Sequence, residues 1–210
     1  REDSKPISAD TGLNVIKLLA ERNVFAVGAQ RGSVQSVDVK ADYVKHLLGY
    51  VDVKALKPLK VVCNAGNGGA GRIIDLLEPH LPFKFTKVFH QPDGNFPNGV
   101  PNPLLEENRQ PTVDALLKEN ADVGIAWDGD ADRCFVVDER GAIVDPSTLT
   151  GLIAARELAK EPGATVIHNL ITSAAVPEIV LEHGGTPVRT RVGHSFIKAT
   201  MAETGAVFGG

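Results

Sequence analysis

The sequence has few cysteines and no concentration of positive charge, and each shortage excludes a class of protein. Cys63 and Cys134 are its only cysteines, and they do not form a C-x-x-C pair. A disulfide framework or a zinc site would need more cysteines or a closer spacing, so we expect two buried thiols in a reducing cytosol. The net charge is −4 and no run of lysines or arginines forms a basic stripe, which argues against nucleic-acid binding.

Long apolar runs are also missing. No segment has the length of a membrane span and no signal peptide is recognisable, so we expect a cytoplasmic protein without a membrane partner. The composition, with 43% hydrophobic and 23% charged residues, is ordinary for a soluble α/β protein with a sizeable core. No nucleophile is evident either, because G-x-S-x-G is absent and neither cysteine has a histidine near it in the sequence.

Three carboxylates lie in one tight turn between two apolar segments. Asp128, Asp130 and Asp132 alternate along the turn, with a glycine between the first two and Arg133 directly after the third. Crowded carboxylates repel one another, whereas a hard divalent cation with oxygen ligands converts that repulsion into binding, and Mg²⁺ is the predicted ion. A guanidinium beside the metal also suits a phosphate, so the turn points to phosphoryl chemistry.

The same spacing allows two other interpretations. Glu139 is twelfth counting from Asp128, as in an EF-hand loop, but Arg133 stands where that loop needs glycine. Residues 134–137 moreover have the pattern of a buried strand. An acidic hairpin turn whose charges are simply solvated is the non-functional alternative.

The glycine-rich segment 64–71 lies between a predicted strand and a predicted helix. It contains G-x-G-x-x-G read from Gly66, but it lacks the Gly-Lys-Ser/Thr ending of a P-loop and a suitably placed ribose-binding acid. Contact with a phosphate and close packing of backbone are both compatible with it, and the residues favour close packing.

His194 lies at the start of a predicted helix, after Gly193 and before Ser195, which we expect to be the N-cap. Helix N-termini attract anions, and Arg191 adds positive charge nearby. The imidazole either contacts a phosphate or sugar hydroxyl, or it only completes the turn, and the residues by themselves favour the second possibility.

The order of elements predicts two successive mixed α/β domains, with the likeliest boundary at Asp145-Pro146. The predicted helices are one capped by Asp10 or Thr11, one through Ile73 and Leu77, and 39–48, 112–119, 148–159, 173–182 and 195–202. The predicted strands are 59–63, 83–89, 123–127, 134–137, 165–168, 186–189 and 206–208. Proline and glycine exclude regular structure from 91–103. Arg1 at the first position and a strand that stops at Gly210 lead us to expect an excerpt of a longer protein.

Four segments together resemble the α-D-phosphohexomutase superfamily, specifically the bacterial phosphomannomutase/phosphoglucomutase group, over nearly the whole chain. These segments are the acid turn 128–133, the glycine-rich segment 64–71, the Pro-Asp-Gly-Asn-Phe-Pro sequence at 92–97, and residues 191–198 around His194.

The resemblance implies mixed α/β domains of the phosphohexomutase type in a fragment of a four-domain enzyme. That enzyme would interconvert hexose 1-phosphate and hexose 6-phosphate through a phosphoserine and a bisphosphorylated sugar. The three acids of the turn would bind Mg²⁺, and Arg133 would be the catalytic residue that holds the transferring phosphate. Arg191, Gly193 and His194 would bind the substrate, so the resemblance reverses the preference for an inert His194.

The resemblance further implies three domains: a tail of domain one at 1–39, a central domain two with the metal loop at 40–143, and an incomplete sugar-binding domain three at 144–210. The phosphoserine and the sugar-selecting Gly-Glu-x-Ser loop are expected outside the chain, which should be inactive alone. Its partners would be small phosphosugars, with hexose 1,6-bisphosphate as activator or intermediate, and the protein would be a monomer or weak dimer. After His168, Asn169 begins a loop without the lysine or arginine that many relatives have there.

Two further functions stay open: a metal-dependent phosphatase in which Asp128 accepts the phosphate, and a non-catalytic metal-binding module.

Overall fold

The computed structural model describes residues 6–25, 28 and 32–210. The chain divides into two units, Gln35–Val144 and a second unit formed by Asp145–Gly210 with the described residues before Gln35. Each contains helices and a β-sheet, which confirms the predicted α/β class. Residues 1–5, 26–27 and 29–31 of the predicted tail of domain one lie outside the described residues.

The helices and strands alternate along most of the chain. The α-helices are α1 Leu13–Glu21, α2 Lys40–Leu48, α3 Ala70–Leu77, α4 Glu106–Glu119, α5 Pro146–Lys160, α6 Ala175–Glu182 and α7 His194–Thr204. The strands are β1 Lys60–Asn64, β2 Lys84–Val88, β3 Val123–Trp127, β4 Cys134–Val137, β5 Thr165–Asn169, β6 Thr186–Thr190 and β7 Phe208–Gly209. Short 3₁₀ helices cover Ala9–Thr11, Val53–Ala55 and Glu78–His80.

The sheet of the Gln35–Val144 unit has the order β2-β1-β3-β4. The first three strands are parallel, and β4 returns antiparallel to β3. Side chains alternate between the faces of a strand, so Val61 packs with Ile74 of α3 while Val62 packs with Leu116 of α4. Helices on both faces explain why β1 is buried almost throughout.

The sheet of the other unit has the order β6-β5-β7 with all strands parallel. Val166 of the central strand β5 packs with Leu158 of α5 and Val180 of α6. On the opposite face, Ile167 lies near Gly209 of β7, which α7 also covers. Among the described residues, no helix has both the length and the apolar character needed to cross a membrane.

Helix α4 begins six residues earlier than predicted. Pro111 has no backbone N–H to donate, so a start after it was the expected arrangement. Tertiary hydrogen bonds hold the extra turns instead: Asn108 donates to the carbonyls of Val100 and Asn102, each at 3.2 Å, and Arg109 donates to that of Pro103 at 3.1 Å. The helical propensities of the residues do not predict these hydrogen bonds.

Three expectations about burial and helix capping were wrong. Cys134 is exposed rather than buried, and of the strand 134–137 only Val137 is fully buried, because β4 forms the edge of its sheet. Helix α7 has Gly193 as its N-cap, not Ser195. Helix α1 likewise begins after Gly12 rather than after a capping Asp10 or Thr11, since those residues belong to the preceding 3₁₀ turn.

We expect Leu116→Ala to lower the free energy of unfolding by about 2–5 kcal/mol, because it opens a cavity against Val62 and Val137. Leu116 is 0% exposed, whereas its neighbour Leu117 is 51% exposed and provides the matched control. Urea unfolding followed by Trp127 fluorescence reports on this unit, since Trp127 is the only tryptophan of the sequence. Equal losses for Leu116→Ala and Leu117→Ala would contradict the packing of α4.

Candidate functional site

Three loops meet at one edge of the β2-β1-β3-β4 sheet. Because β1, β2 and β3 are parallel, their carboxyl ends lie at the same edge. The glycine-rich segment follows β1, the proline-rich loop 89–105 follows β2, and the acid turn 128–133 joins β3 to β4. This is the edge at which parallel α/β sheets generally bind ligands.

Asp128 anchors the acid turn from inside. Its side chain is 1% exposed, and its two oxygens accept hydrogen bonds from the backbone N–H of Arg133 at 3.1 Å and from the Nε of Arg133 at 2.6 Å. The backbone closes the same turn, since the N–H of Ala131 donates to the carbonyl of Asp128. Ala131 adopts a left-handed conformation, with φ at 61°. The turn is therefore held in one shape by its own residues.

The three acids of the turn come together as the sequence suggested. One carboxylate oxygen each of Asp128, Asp130 and Asp132 lies within 4.8 Å of the others, with Asp128 buried and the other two exposed. A set of carboxylate oxygens at this spacing fits a hard divalent cation such as Mg²⁺, which would also relieve their mutual repulsion. The assignment of these residues as metal ligands stays a prediction.

Opposing effects determine the charge of Asp128. Burial by itself would raise the pKa of this carboxyl, but the hydrogen bonds and the charge of Arg133 outweigh it and hold the pKa below its usual value of 3.8. The hydrogen bond to Asp128 raises the pKa of Arg133 in turn. Asp128 is thus an anion in the folded protein at neutral pH.

Arg133 combines a fixed and a free part. Its Nε contacts Asp128 and lies 3.6 Å from Asp132, and its side chain is 51% exposed. Among the described residues, the two terminal nitrogens of Arg133 donate no hydrogen bond, so they remain available for an anion. The predicted catalytic role of Arg133 is compatible with this geometry and stays a prediction.

The glycine-rich segment packs directly against the acid turn. A Cβ on Gly68 would lie 2.4 Å from the carbonyl oxygen of Gly129, and a Cβ on Gly71 would lie 2.0 Å from that of His90. The N–H of Gly69 donates to the carbonyl of Gly129 at 2.9 Å. The preferred interpretation of this segment as close backbone packing is confirmed by these contacts.

The predicted substrate-binding residues lie in the other unit, at the start of α7. His194 is the first helical residue and is exposed, so its position at a helix N-terminus is confirmed. Arg191 stacks on the ring of Phe196 at 4.1 Å, and its Nη1 lies 3.6 Å from the carboxylate of Asp10. Both members of this ion pair are exposed, so the pair is weak and an anionic ligand can replace it.

Sequence reasoning missed two buried residues, one in each unit. Asn67 is buried in the glycine-rich segment, and an asparagine between glycines was a usable signal because Asn tolerates positive φ. His168 of β5 is buried too, and burial together with the charge of Arg189 lowers its pKa below 6.5, although a backbone hydrogen bond at Asn169 opposes the shift. Among the described residues its Nδ1 has no hydrogen-bond partner. No sequence pattern marks that burial.

Two family models match successive parts of the chain. "Phosphoglucomutase/phosphomannomutase, alpha/beta/alpha domain II" matches residues 41–141, and domain III of the same family matches residues 145–210. Together the two models cover most of the chain.

Relatives and solved structures agree with those models. The chain is 51% identical over 210 residues to phosphohexose mutases of Xanthomonas campestris and 46% identical over 217 residues to a phosphomannomutase of Escherichia coli K12. Each match covers 100% of this chain but 47% and 48% of those proteins, so the chain spans about half the length of the curated relatives it matches.

A phosphoglucomutase/phosphomannomutase family protein from Burkholderia thailandensis has a similar structure, with a TM-score of 0.87 and 36% identity. That similarity covers 97% of this chain and 43% of the Burkholderia protein. Parafusin, a phosphoglucomutase from Paramecium, shares the fold, with a TM-score of 0.68 at 22% identity over 80% of this chain and 32% of its own.

We expect Arg133→Gln to lower the free energy of unfolding by about 1–2 kcal/mol at pH 7, because it removes a charged hydrogen bond to buried Asp128 from a largely exposed arginine. Since the folded state depresses the pKa of Asp128, this stabilisation is present above the ordinary pKa of 3.8 and disappears as the pH falls through the lower folded value. Urea unfolding at pH 7 and near pH 3 measures the difference between the two proteins.

Arg140→Gln is the matched control, because Arg140 pairs with Asp138 on an exposed turn of the same unit. We expect a smaller loss there. A loss for Arg133→Gln that does not shrink on acidification would contradict the pairing with Asp128.

Proposed function

The chain belongs to the phosphoglucomutase/phosphomannomutase family of phosphohexomutases, and we propose that it forms the central part of an enzyme that interconverts hexose 1-phosphates and hexose 6-phosphates. The reaction is a Mg²⁺-dependent phosphoryl transfer through a phosphoserine and a bisphosphorylated sugar. The observation that carries this proposal is the clustering of three carboxylates within 4.8 Å beside an arginine whose terminal nitrogens are free among the described residues.

Each group of the acid turn has a role in the proposed reaction. The acids Asp128, Asp130 and Asp132 hold Mg²⁺, which would neutralise charge on the transferring phosphate when bound. Asp128 also accepts a hydrogen bond from the Nε of Arg133 and so orients the guanidinium. The two free Nη groups then bind the phosphate and stabilise the charge that spreads over its oxygens during transfer.

The start of α7 provides the substrate site in this proposal. His194 and the first N–H groups of the helix bind the phosphate that is not being transferred, since a helix N-terminus favours an anion. Gly193, with φ at 131°, lets the chain turn into the helix just before the histidine. Arg191 exchanges its weak contact with Asp10 for the sugar phosphate.

Several finer points belong to the same proposal. The phosphoserine and the sugar-selecting loop come from segments of a longer enzyme, in which residues 1–39, 40–143 and 144–210 belong to domains one, two and three. Hexose 1,6-bisphosphate acts as activator or intermediate. A cytoplasmic location and a monomer or weak dimer remain predictions.

The phosphatase alternative is less compatible with the geometry of the turn. In the phosphatase alternative an oxygen of Asp128 would itself attack the phosphorus. Hydrogen bonds from Arg133 to both of its oxygens make the carboxylate a weaker nucleophile, whereas each oxygen keeps a lone pair with which it can bind a cation. Phosphate trapped on an aspartate after incubation with a phosphosugar would favour the phosphatase. Failure to bind hexose bisphosphate when the flanking sequence is present would instead favour a non-catalytic module.

We expect Asp130→Asn in the full-length enzyme to reduce mutase turnover by about a hundredfold or more, because loss of a metal ligand removes several kcal/mol of transition-state stabilisation. Asp130 is exposed, so the fold should survive and circular dichroism should be unchanged. Glu139→Gln is the control: it removes an exposed acid beyond the turn, the one that an EF-hand would use as ligand, and should leave turnover unchanged. Equal activity of Asp130→Asn and the parent would exclude the metal site.

We expect the 210-residue chain by itself to bind Mg²⁺ weakly and to show no mutase activity, because the phosphate-donating serine is proposed to lie elsewhere. A coupled assay that follows conversion of mannose 1-phosphate to mannose 6-phosphate measures this. Adding the flanking sequence of the enzyme to the chain should restore turnover. Robust turnover without it would contradict the proposal that the phosphate-donating serine lies outside this chain.

A further inference from the structure

Asn67 connects the glycine-rich segment to the proline-rich loop, although it carries no charge and lies outside the acid turn. Its backbone N–H donates to the carbonyl of Phe89 at 2.7 Å, and its backbone carbonyl accepts from the N–H of Asp93 at 2.9 Å. Its Nδ2 donates to the carbonyl of Gln91 at 2.8 Å, and its Oδ1 accepts from Asn98 at 2.8 Å. One residue that is 9% exposed thus makes four hydrogen bonds to the proline-rich loop.

The backbone of Asn67 requires a particular residue type. Its φ is 58°, in the left-handed region that most side chains disfavour but asparagine tolerates. Glycine could adopt the same conformation but would lose both side-chain hydrogen bonds. Asparagine therefore satisfies the backbone and the loop contacts together.

The residues after Asn67 reach the acid turn. Gly69 donates its N–H to the carbonyl of Gly129, and Gly68 packs so closely on Gly129 that a methyl group would not fit. A Cβ on Gly129 would lie 3.5 Å from the ring of Phe96, so this ring of the proline-rich loop limits the space beside Gly129. Both loops that Asn67 ties together are therefore next to Gly129, which lies between the first two acids.

The same edge holds most of the unusual backbone of the described residues. Six non-glycine residues among all the described residues have positive φ, and four of them lie in these loops: Asn67, Phe89, Phe96 and Ala131. Each such conformation costs of the order of 1–3 kcal/mol and persists only where surrounding contacts enforce it. Asn67 makes hydrogen bonds on both sides of Phe96, to Asp93 and to Asn98, and so is the residue best placed to enforce it.

We propose that Asn67 is a positioning residue for the acid turn: by tying the proline-rich loop to the glycine-rich segment it holds both beside Gly129 and sets the spacing of the Asp128 and Asp130 carboxylates. This rests on the proposed function, because it takes that turn as the metal site. Asn67 itself touches neither the metal nor the carboxylates. Its effect is transmitted through Gly68 and Gly69, which contact Gly129, and through the ring of Phe96, which limits the space beside Gly129.

The test measures binding of Mn²⁺ to the 210-residue chain by water-proton relaxation, with urea unfolding measured on the same samples. Asn67→Gly keeps the backbone conformation and removes only the side-chain contacts. We expect it to weaken Mn²⁺ binding by about tenfold, within the range found when groups that orient metal ligands are removed. Asn98→Ala deletes only the donor to Oδ1 of Asn67 and should cause a smaller loss of Mn²⁺ affinity. It replaces Asn67→Gly as the test variant if Asn67→Gly does not fold.

Asn108→Ala is the matched control. It also removes two hydrogen bonds to carbonyls of the proline-rich loop, those of Val100 and Asn102, but among the described residues Asn108 makes no hydrogen bond to the glycine-rich segment. We expect it to reduce stability and to leave Mn²⁺ affinity unchanged. If Asn67→Gly and Asn98→Ala reduce stability but bind Mn²⁺ as tightly as the parent, Asn67 is merely structural and the proposal is overturned.

Asp130→Asn distinguishes a failure of the positioning role of Asn67 from a failure of the proposed metal site. If the parent chain binds no Mn²⁺, or Asp130→Asn binds it as the parent does, the metal site is wrong and the positioning role falls with it. If Asp130→Asn abolishes binding while Asn67→Gly retains the parent affinity, only the positioning role fails. Loss of affinity in both, with Asn108→Ala unaffected, supports the role of Asn67.

Discussion

The mutual repulsion of three carboxylates at the end of β3 is the constraint to which the neighbouring structure responds. Asp128 is kept ionised inside the protein by Arg133, which satisfies both of its oxygens and closes the turn at the same time. Asp130 and Asp132 stay exposed and project the remaining negative charge outward. Arg133 offsets part of this charge from inside, and the exposed side of the turn is one at which a cation is favoured.

The parallel sheet explains why so much structure gathers at this turn. Strands β1, β2 and β3 end at one edge, so the segments that follow them are forced into contact. Glycines allow the glycine-rich backbone to touch the acid turn at distances that no side chain permits. Rigid support of this kind matters for a metal site, because ligand geometry decides affinity as much as ligand identity does.

Much of the architecture could be predicted because its signals are local. The alternation of apolar strands and helices identified every strand of the described residues within about two residues, and the α/β class and the family resemblance are both confirmed. The errors occur where side-chain contacts and sheet position override the preference of the individual residues. Helix α4 continues through Pro111 because Asn108 and Arg109 bond to a preceding loop, and Cys134 is exposed because β4 happens to be an edge strand.

The sequence by itself determined the chemistry of this protein: which side chains carry charge, that three acids and an arginine share one turn, and which family these motifs resemble. Those properties follow from residue type and spacing over a few positions. Only the tertiary structure decided that Asp128 is buried and paired with Arg133, that Arg191 rests on Phe196 beside Asp10, and that Asn67 joins the glycine-rich segment to the proline-rich loop. The burial of Asp128 and the bonds of Asn67 depend on how strands far apart in sequence align in a sheet, whereas the pairing of Asp128 with Arg133 and of Arg191 with Phe196 depends on the conformation of a turn, which residue types alone do not specify.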